Sequence, residues 1–370
     1  MKVDLESSGL IIGQPSGPLY FNYFWLRDNC SSSFDPETRE RSFDIATLAE
    51  PPQAISADLS DTELRVSWRG ECKQSVYDLA WLQRFAEPAA RPDPAAIPRK
   101  LWLADHYNDM QRFSFTDLLA DRVTVCAWAH ALLEDGISIV DGMPDTDQGL
   151  TDLASRLGCI RSSVAGNYFD VRVHIDPVNL SYTASALELH TDTPAEDLPP
   201  GIQFLHCRAN SVKGGDSLFL DGAAVAEDFR KTDPNGFALL AETKIPFYYD
   251  HDAFDWRARQ RVIELDTTGA VSGVTVSRHM ADVLDLPQKD LDAYYPALWR
   301  FSRAMADPAY IMKFRLNAGE CIVFDNHRIV HGREAYTANS GERYLRGCYI
   351  DRGELRSTYR TLVKQSTENG

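Results

Sequence analysis

Hydrophobic and polar residues alternate in short runs along most of this chain, and turns rich in Gly, Pro and Asp separate the runs. A period of two over a few residues is the pattern of a half-buried strand. In the first part it predicts strands at Tyr20–Trp25, Ser42–Leu48, Glu63–Trp68 and Ser75–Tyr77. A Pro/Ala stretch follows, EPAARPDPAAIPRK from Glu87 to Lys100, with the composition of an exposed linker. Beyond it the spacing turns helical. Arg122–Glu134 carries an apolar stripe ended by Gly136, and Gln148–Leu157 one ended by Gly158, with a strand at Ile137–Val140 between them. From Gly201 onward strands predominate: Ile202–Cys207, Ser217–Leu220, Pro246–Tyr249, Val262–Leu265, Val274–Val276, Tyr310–Leu316, Cys321–Phe324 and Tyr344–Ile350. Helices over Ala223–Lys231 and Gln288–Met305 interrupt them. The expected fold is mainly β with peripheral helices, a jelly-roll double sheet over 96–370 preceded by a small β-rich N-terminal domain over 1–95.

Composition narrows the classes. At 370 residues with 44% apolar and 25% charged residues, the chain reads as ordinary globular protein of two domains. Its net charge of −16 argues against nucleic acid and against an anionic membrane surface. The first residues include Asp4 and Glu6 and no long apolar run, so no signal peptide is read there, and no stretch reaches the roughly 20 apolar residues of a membrane span. The seven cysteines lack CxxC spacing, which points to reduced thiols and a cytoplasmic location.

Two segments carry chemistry: LELHTDTPAEDLPPG and FDNHRIVHGREAYTANSGERYLRG. In the first, His190-Thr191-Asp192 puts an imidazole and a carboxylate on one side of a short turn. His331 from a distant strand supplies a third ligand, each expected where a strand meets a loop. Two His and one carboxylate on one face of an octahedron suit Fe(II) and leave the other face open. Arg343 follows His331 at a distance, and its guanidinium fork can hold the far carboxylate of a dicarboxylate co-substrate. The joint pattern suggests an Fe(II)/2-oxoglutarate oxygenase. A Zn or Mn hydrolase would want a carboxylate base and no such Arg. A non-catalytic binding protein on the same fold would have lost one of these residues.

Further motifs extend along nearly the whole chain: FWLRDNC, VSW, YDLAWL, NLSYT, LHTD, LPPGIQFLHC, GGDSLFLDG, VIELD, FDNHRIVHGRE and RYLRGCY. In this order they resemble the γ-butyrobetaine/trimethyllysine hydroxylase group of Fe(II)/2-oxoglutarate dioxygenases. The resemblance implies a double-stranded β-helix, iron on His190, Asp192 and His331, and 2-oxoglutarate and O₂ as co-substrates. It implies 2-oxoglutarate contacts from Arg343, Ser217 and Asn179, no catalytic side chain beyond the metal ligands, and a homodimer, as family members often are. One departure is plain. Family members usually hold a structural zinc in the small module through three close cysteines and a histidine, whereas here the run reads Cys30-Ser31-Ser32-Ser33-Phe34-Asp35 and the histidine region Glu71-Cys72-Lys73. Serine and phenylalanine cannot replace thiolates, so no zinc is expected.

The resemblance also implies a small trimethylammonium substrate in an aromatic cage. Matching cage positions are Phe169, Tyr182 and Tyr349; a fourth reads Ala165, with Tyr168 nearby. At the anionic end, Ser277-Arg278-His279 stands where the butyrobetaine enzyme has an Asn pair. An Arg there suits a doubly charged tetrahedral anion, which points to the branch that hydroxylates 2-(trimethylammonio)ethylphosphonate at the carbon next to phosphorus. γ-Butyrobetaine and other quaternary amines such as trimethyllysine are the alternatives.

Overall fold

A computed structural model of the chain describes residues 2–71, 74–86, 92–163, 166–172, 183–251, 254–337 and 339–368. It separates into two compact units, Met1–Pro92 and Asp93–Gly370.

The first unit holds two three-stranded antiparallel sheets, Lys2–Leu5, Gly9–Gly13 and Leu19–Asn22 in one, and Ala54–Leu59, Glu63–Trp68 and Ser75–Asp78 in the other. Their buried faces meet in a core of Leu10, Ile12, Leu26, Leu64, Val66 and Trp68. Two expectations change here. The strand expected over Tyr20–Trp25 ends at Asn22 and becomes a helix, Tyr23–Asp28, because the Asn22 side chain accepts the Trp25 N–H at 3.2 Å and caps the first turn. Ser42–Leu48 forms no strand; Asp44 caps a single 3₁₀ turn, Ile45–Thr47.

The second unit is a sandwich. A six-stranded sheet runs Arg112–Ser114, Ile137–Asp141, Cys321–Asp325, Ile202–Asn210, Arg343–Ile350, Phe169–Val171 in spatial order. A four-stranded sheet runs Leu187–His190, Ile329–Arg333, Ser217–Asp221, Met312–Phe314. Successive side chains of a strand point to opposite faces. In Cys321–Asp325, therefore, Ile322 and Phe324 join Phe219, Ile329 and Met312 between the sheets, while Cys321 and Val323 pack outward. The outward face is covered by helices Arg122–Glu134, Asp147–Ser155 and Arg352–Glu368 through Trp128, Leu132, Leu153 and Leu355. Gly136 ends the first of these at φ +78, a left-handed conformation that a side chain would strain.

Between Ser217–Asp221 and Met312–Phe314 the chain inserts helices Gly222–Thr232, Pro234–Glu242 and Gln288–Met305 and two hairpins, one of them Lys244–His251 with Phe254–Arg261. These share a separate core that includes Phe229, Leu240, Ile263, Tyr294 and Phe301. Among the described residues no helix is long and apolar enough to cross a membrane.

Candidate metal centre and the cavity around it

His190 is the last residue of its strand, and its cross-strand partner is His331. Residues directly opposite on neighbouring strands hold their side chains close on one face, and the two imidazole centroids lie 4.3 Å apart. His331 is thus central in Ile329–Arg333 rather than at a strand-loop junction. Asp192 follows two residues after His190, just before Thr193 at φ +48. Its Oδ1 lies 3.1 Å from His190 Nε2 and 3.6 Å from His331 Nε2. The three ligand atoms lie within 4.8 Å of one another, the only such group of His, Cys, Asp and Glu found among the described residues.

The surroundings prepare these groups for a cation. His190 Nδ1 lies 2.8 Å from the Glu188 carbonyl, so it donates there and leaves Nε2 as the lone-pair nitrogen. Burial holds the His331 imidazole down at about 3, neutral at ordinary pH. Burial pushes the Asp192 carboxyl up, but attraction from the two imidazoles and a hydrogen bond from Tyr349 outweigh it and hold it below the usual carboxylate range. Two imidazole nitrogens and an anionic carboxylate fit Fe(II).

Scaffold contacts fix the ligands in place. Asn326 Oδ1 accepts the Asp192 N–H at 2.8 Å, while its amide donates to the Asp192 and Pro200 carbonyls. The neighbouring Arg328 makes a buried, bidentate pair with Asp221 at 3.0 and 2.7 Å, anchoring the turn that leads into the His331 strand. Phe324 packs on the His331 ring with centroids 4.9 Å apart.

A cavity of about 160 Å³ opens beside the cluster. One end is cationic. Arg343 is buried, and its Nε and Nη1 have no hydrogen-bond partner among the described residues. Burial and the neighbouring Arg333 charge push its guanidinium down to about 10. A buried charge of this kind calls for a counter-ion, and no carboxylate among the described residues pairs with Arg343. Ser217, opposite Arg333 across the sheet, lines the same end. Gly214 and Gly215, both at positive φ, admit the Tyr336 backbone and side chain beside Arg343. The other walls are aromatic: Phe169, Tyr249, Trp256 and Tyr349. Phe169 stacks on Tyr349 at 4.8 Å, and it fits only because its cross-strand neighbour is Gly347, where a Cβ would overlap its ring.

Tyr349 has a second contact. Its hydroxyl donates to Asp192 Oδ2 at 2.7 Å, tying a wall of the cavity to the metal carboxylate. Ser277 is buried but does not line the cavity, and Arg278 is exposed outside it, whereas His279 and Met280 of the same turn line the wall. The His279 ring lies edge-on to His190 at 5.1 Å. Tyr168 is turned away, its hydroxyl 2.5 Å from Thr151 Oγ1 and its ring under Arg346. Asn179, Tyr182 and Ala165 lie outside the described residues. In the first unit Cys30 is buried with its sulfur 3.2 Å from Ser32 Oγ, and Glu71 pairs with Arg27 at 2.8 Å; Cys72 and Lys73 lie outside the described residues.

The motifs did not single out Tyr249, Trp256, Arg333, His279 or Asn326. The alternation Phe254-Asp255-Trp256-Arg257-Ala258 was the available signal for the hairpin that carries Trp256.

Comparison with known proteins agrees with this geometry. Residues 102–349 match the model of the family described as "Taurine catabolism dioxygenase TauD, TfdA family". A γ-butyrobetaine dioxygenase of Pseudomonas sp. (strain AK-1) is 34% identical over 93% of this chain and 90% of its own length. The γ-butyrobetaine dioxygenase of Homo sapiens is 30% identical over 94% and 92%, and the mitochondrial trimethyllysine dioxygenase of Bos taurus 28% over 94% and 83%. Among solved structures, AAD-2 in complex with Mn(II) and N-oxalylglycine superposes with a TM-score of 0.52 at 12% identity, covering 63% of this chain and 90% of that one, a likeness of fold.

Proposed function

Because this chain belongs to the TauD/TfdA family and is an Fe(II)/2-oxoglutarate-dependent dioxygenase of jelly-roll fold, we propose that it hydroxylates a small trimethylammonium zwitterion. In this reading His190, Asp192 and His331 hold the iron. Arg343, with Ser217, pairs with the far carboxylate of 2-oxoglutarate, and Asn179 supports its other end. When bound, iron would supply the oxidising chemistry with O₂ as oxidant: one oxygen atom goes into succinate as 2-oxoglutarate loses CO₂, and the other into the C–H bond that is hydroxylated. The protein's own part is placement. Arg343 gains a counter-ion only when the dicarboxylate is bound. Asn326 and Tyr349 keep the Asp192 carboxylate oriented, and the aromatic walls exclude water.

The observation that carries the substrate class is the wall chemistry. Among the described lining residues Asp192 is the only carboxylate, against five aromatic rings, Phe169, Phe219, Tyr249, Trp256 and Tyr349. A quaternary ammonium donates no hydrogen bond. It gains from π faces, at roughly 0.5–2 kcal/mol each. Phe169 and Tyr349, with Tyr182 from the sequence and Tyr249 and Trp256 from the hairpin, form the proposed receptor for the N-methyl groups.

For the anionic end we favour 2-(trimethylammonio)ethylphosphonate, hydroxylated next to phosphorus, over γ-butyrobetaine. Arg278 supports this from the rim. It is exposed, its side chain makes no hydrogen bond or ion pair with a described residue, and it sits on the turn that carries His279 and Met280. A dianion has more charge to recruit such a side chain than a carboxylate has. The test is a panel of trimethylammonium compounds with phosphonate or carboxylate ends, read by succinate release and product mass. Turnover of the phosphonate above γ-butyrobetaine, with a larger loss for the phosphonate in Arg278→Ala, is expected. Preference for γ-butyrobetaine overturns the phosphonate end, and inactivity on every trimethylammonium compound overturns the class.

A further inference from the structure

The catalytic unit has a second cavity, of about 850 Å³, that shares no lining residue with the first. Its lining combines an apolar side, including Ile97, Leu132, Ile202 and Leu355, with a charged side. The charged side is unevenly matched. Each carboxylate in it is already engaged. Asp93 receives both arms of Arg360 at 2.7 and 2.6 Å. Glu227 pairs with Arg230 at 3.2 Å and accepts the Val271 N–H. Asp266 accepts from Thr268 and Ala270 in its own turn. Asp325 pairs with Arg352 at 2.9 Å and accepts the His327 N–H.

Three of the cations are engaged as well. Arg328 is held by Asp221, Lys231 by Asp228 at 2.9 Å, and Arg352 by Asp325 and the Ser272 carbonyl. Two guanidiniums remain. Arg99 donates to the Val271 carbonyl at 2.7 Å and pairs with no carboxylate. The Arg356 side chain makes no hydrogen bond or ion pair with a described residue. Both are partly buried and both feel the Arg352 charge, so burial and like-charge repulsion act on each of them. Asp325 acts on both at a distance, but neither guanidinium is paired with a carboxylate among the described residues, and half-buried guanidiniums of this kind can receive an anion.

We propose that this cleft binds an organic polyanion, its carboxylate or phosphate head on Arg99 and Arg356 and its apolar body against Ile97, Leu132 and Leu355. The apolar side argues for more than a simple inorganic ion, and the single pair of free guanidiniums for a compact head.

Isothermal titration of the full chain, without added metal, tests this with three probes: benzene-1,3,5-tricarboxylate, pyrophosphate and inorganic phosphate. One binding event per chain is expected, with affinity reduced roughly tenfold or more in Arg99→Ala and in Arg356→Ala, since a charge-assisted contact is lost in each. Arg356→Lys, which keeps the charge, separates that effect from misfolding and retains part of the affinity. Arg343→Ala, which removes a cation from the first cavity, leaves the affinity unchanged. Tighter binding of the tricarboxylate assigns a carboxylate head and tighter binding of pyrophosphate a phosphate head. Absence of binding by every probe, unchanged affinity in both alanine variants, or loss of binding in Arg343→Ala overturns the proposal.

Discussion

Tyr349 stands between two roles, and a single hydroxyl separates them. Its ring stacks on Phe169 at 4.8 Å in the cavity wall, while its Oη donates to Asp192 Oδ2 at 2.7 Å. Tyr349→Phe keeps the ring and the stack and removes only the donor. A hydrogen bond to an ionised group contributes about 1.5–3 kcal/mol, which corresponds to roughly a 10- to 150-fold change in an equilibrium constant. Part of it would be lost as weaker metal binding, in line with the roughly 10- to 100-fold effects of removing the partner of a metal ligand. The assay is Fe(II) or Co(II) titration of the metal-free variant, beside the substrate KM in the loaded enzyme. The expected outcome is a metal Kd raised tenfold or more with a substrate KM within a few-fold of the parent, because a phenyl face still serves a trimethylammonium group. Tyr349→Leu should lose both. An unchanged metal Kd in Tyr349→Phe would show that the hydrogen bond does not orient Asp192, and the positioning role would be withdrawn.

Arg343→Ala should raise the 2-oxoglutarate KM at least tenfold, since truncating one partner of a buried charged pair costs roughly 2–5 kcal/mol; an unchanged KM would refute its pairing with the co-substrate. His206 is fully buried with no partner on either ring nitrogen among the described residues, and burial first, then Arg208, pushes it down to about 4. The unfolded chain takes up that proton near pH 6.5 while the folded chain refuses it until about 4, so this stability is present above 6.5 and lost as pH falls through that window, on the order of 3 kcal/mol. Urea midpoints measured across that window should fall in the parent and be flatter in His206→Leu; parallel curves would exclude His206 as the source. Metal analysis of protein purified without added metal should find no stoichiometric zinc in the N-terminal module, and zinc resistant to mild chelation would mean that Cys30 has gained ligands other than the absent cysteines.

The strongest signals in the sequence were those where one residue type has one physical use. Cys321–Phe324 is apolar at every position because both its faces are buried, and it reads as a strand for that reason. His190, Asp192 and His331 were legible because few other residue types ligate iron. The failures have local causes. The aromatic content of Tyr20–Trp25 reads as strand to its end, yet the Asn22 cap starts the helix Tyr23–Asp28 within it. Arg352–Glu368 was passed over because it is polar throughout, although Leu355, Tyr359 and Leu362 already mark one buried stripe at helical spacing. Phe254–Arg261 is masked by charged residues at every exposed position, Asp255, Arg257, Arg259 and Arg261. Trp256 was missed with it, and so was half of the aromatic wall.

Arg278 shows the limit of position without geometry. The sequence places a guanidinium where a substrate anion is expected, but the turn points Arg278 to solvent and turns its neighbours His279 and Met280 inward. The opposite holds for Arg333. Nothing in its motif marks it, yet strand pairing sets it opposite Ser217, beside the Arg343 end of the cavity. The two cases follow from the same rule. In a paired strand, alternate side chains must share a face, so register decides which residues meet. A 3₁₀ turn imposes no such alternation. The metal centre draws on the constrained half of the fold. Its imidazoles come from paired strands of one sheet, and the Tyr349 hydroxyl reaches its carboxylate from the other. Phe324 and Phe219 between the sheets press on the His331 ring. In the proposed function the substrate's anionic end falls instead to the turn after Thr275, whose 3₁₀ segment Arg278–Met280 is held by no strand register. Substitutions within that turn should therefore change substrate choice while leaving metal affinity intact, and substitutions at Phe219 or Phe324 should do the reverse.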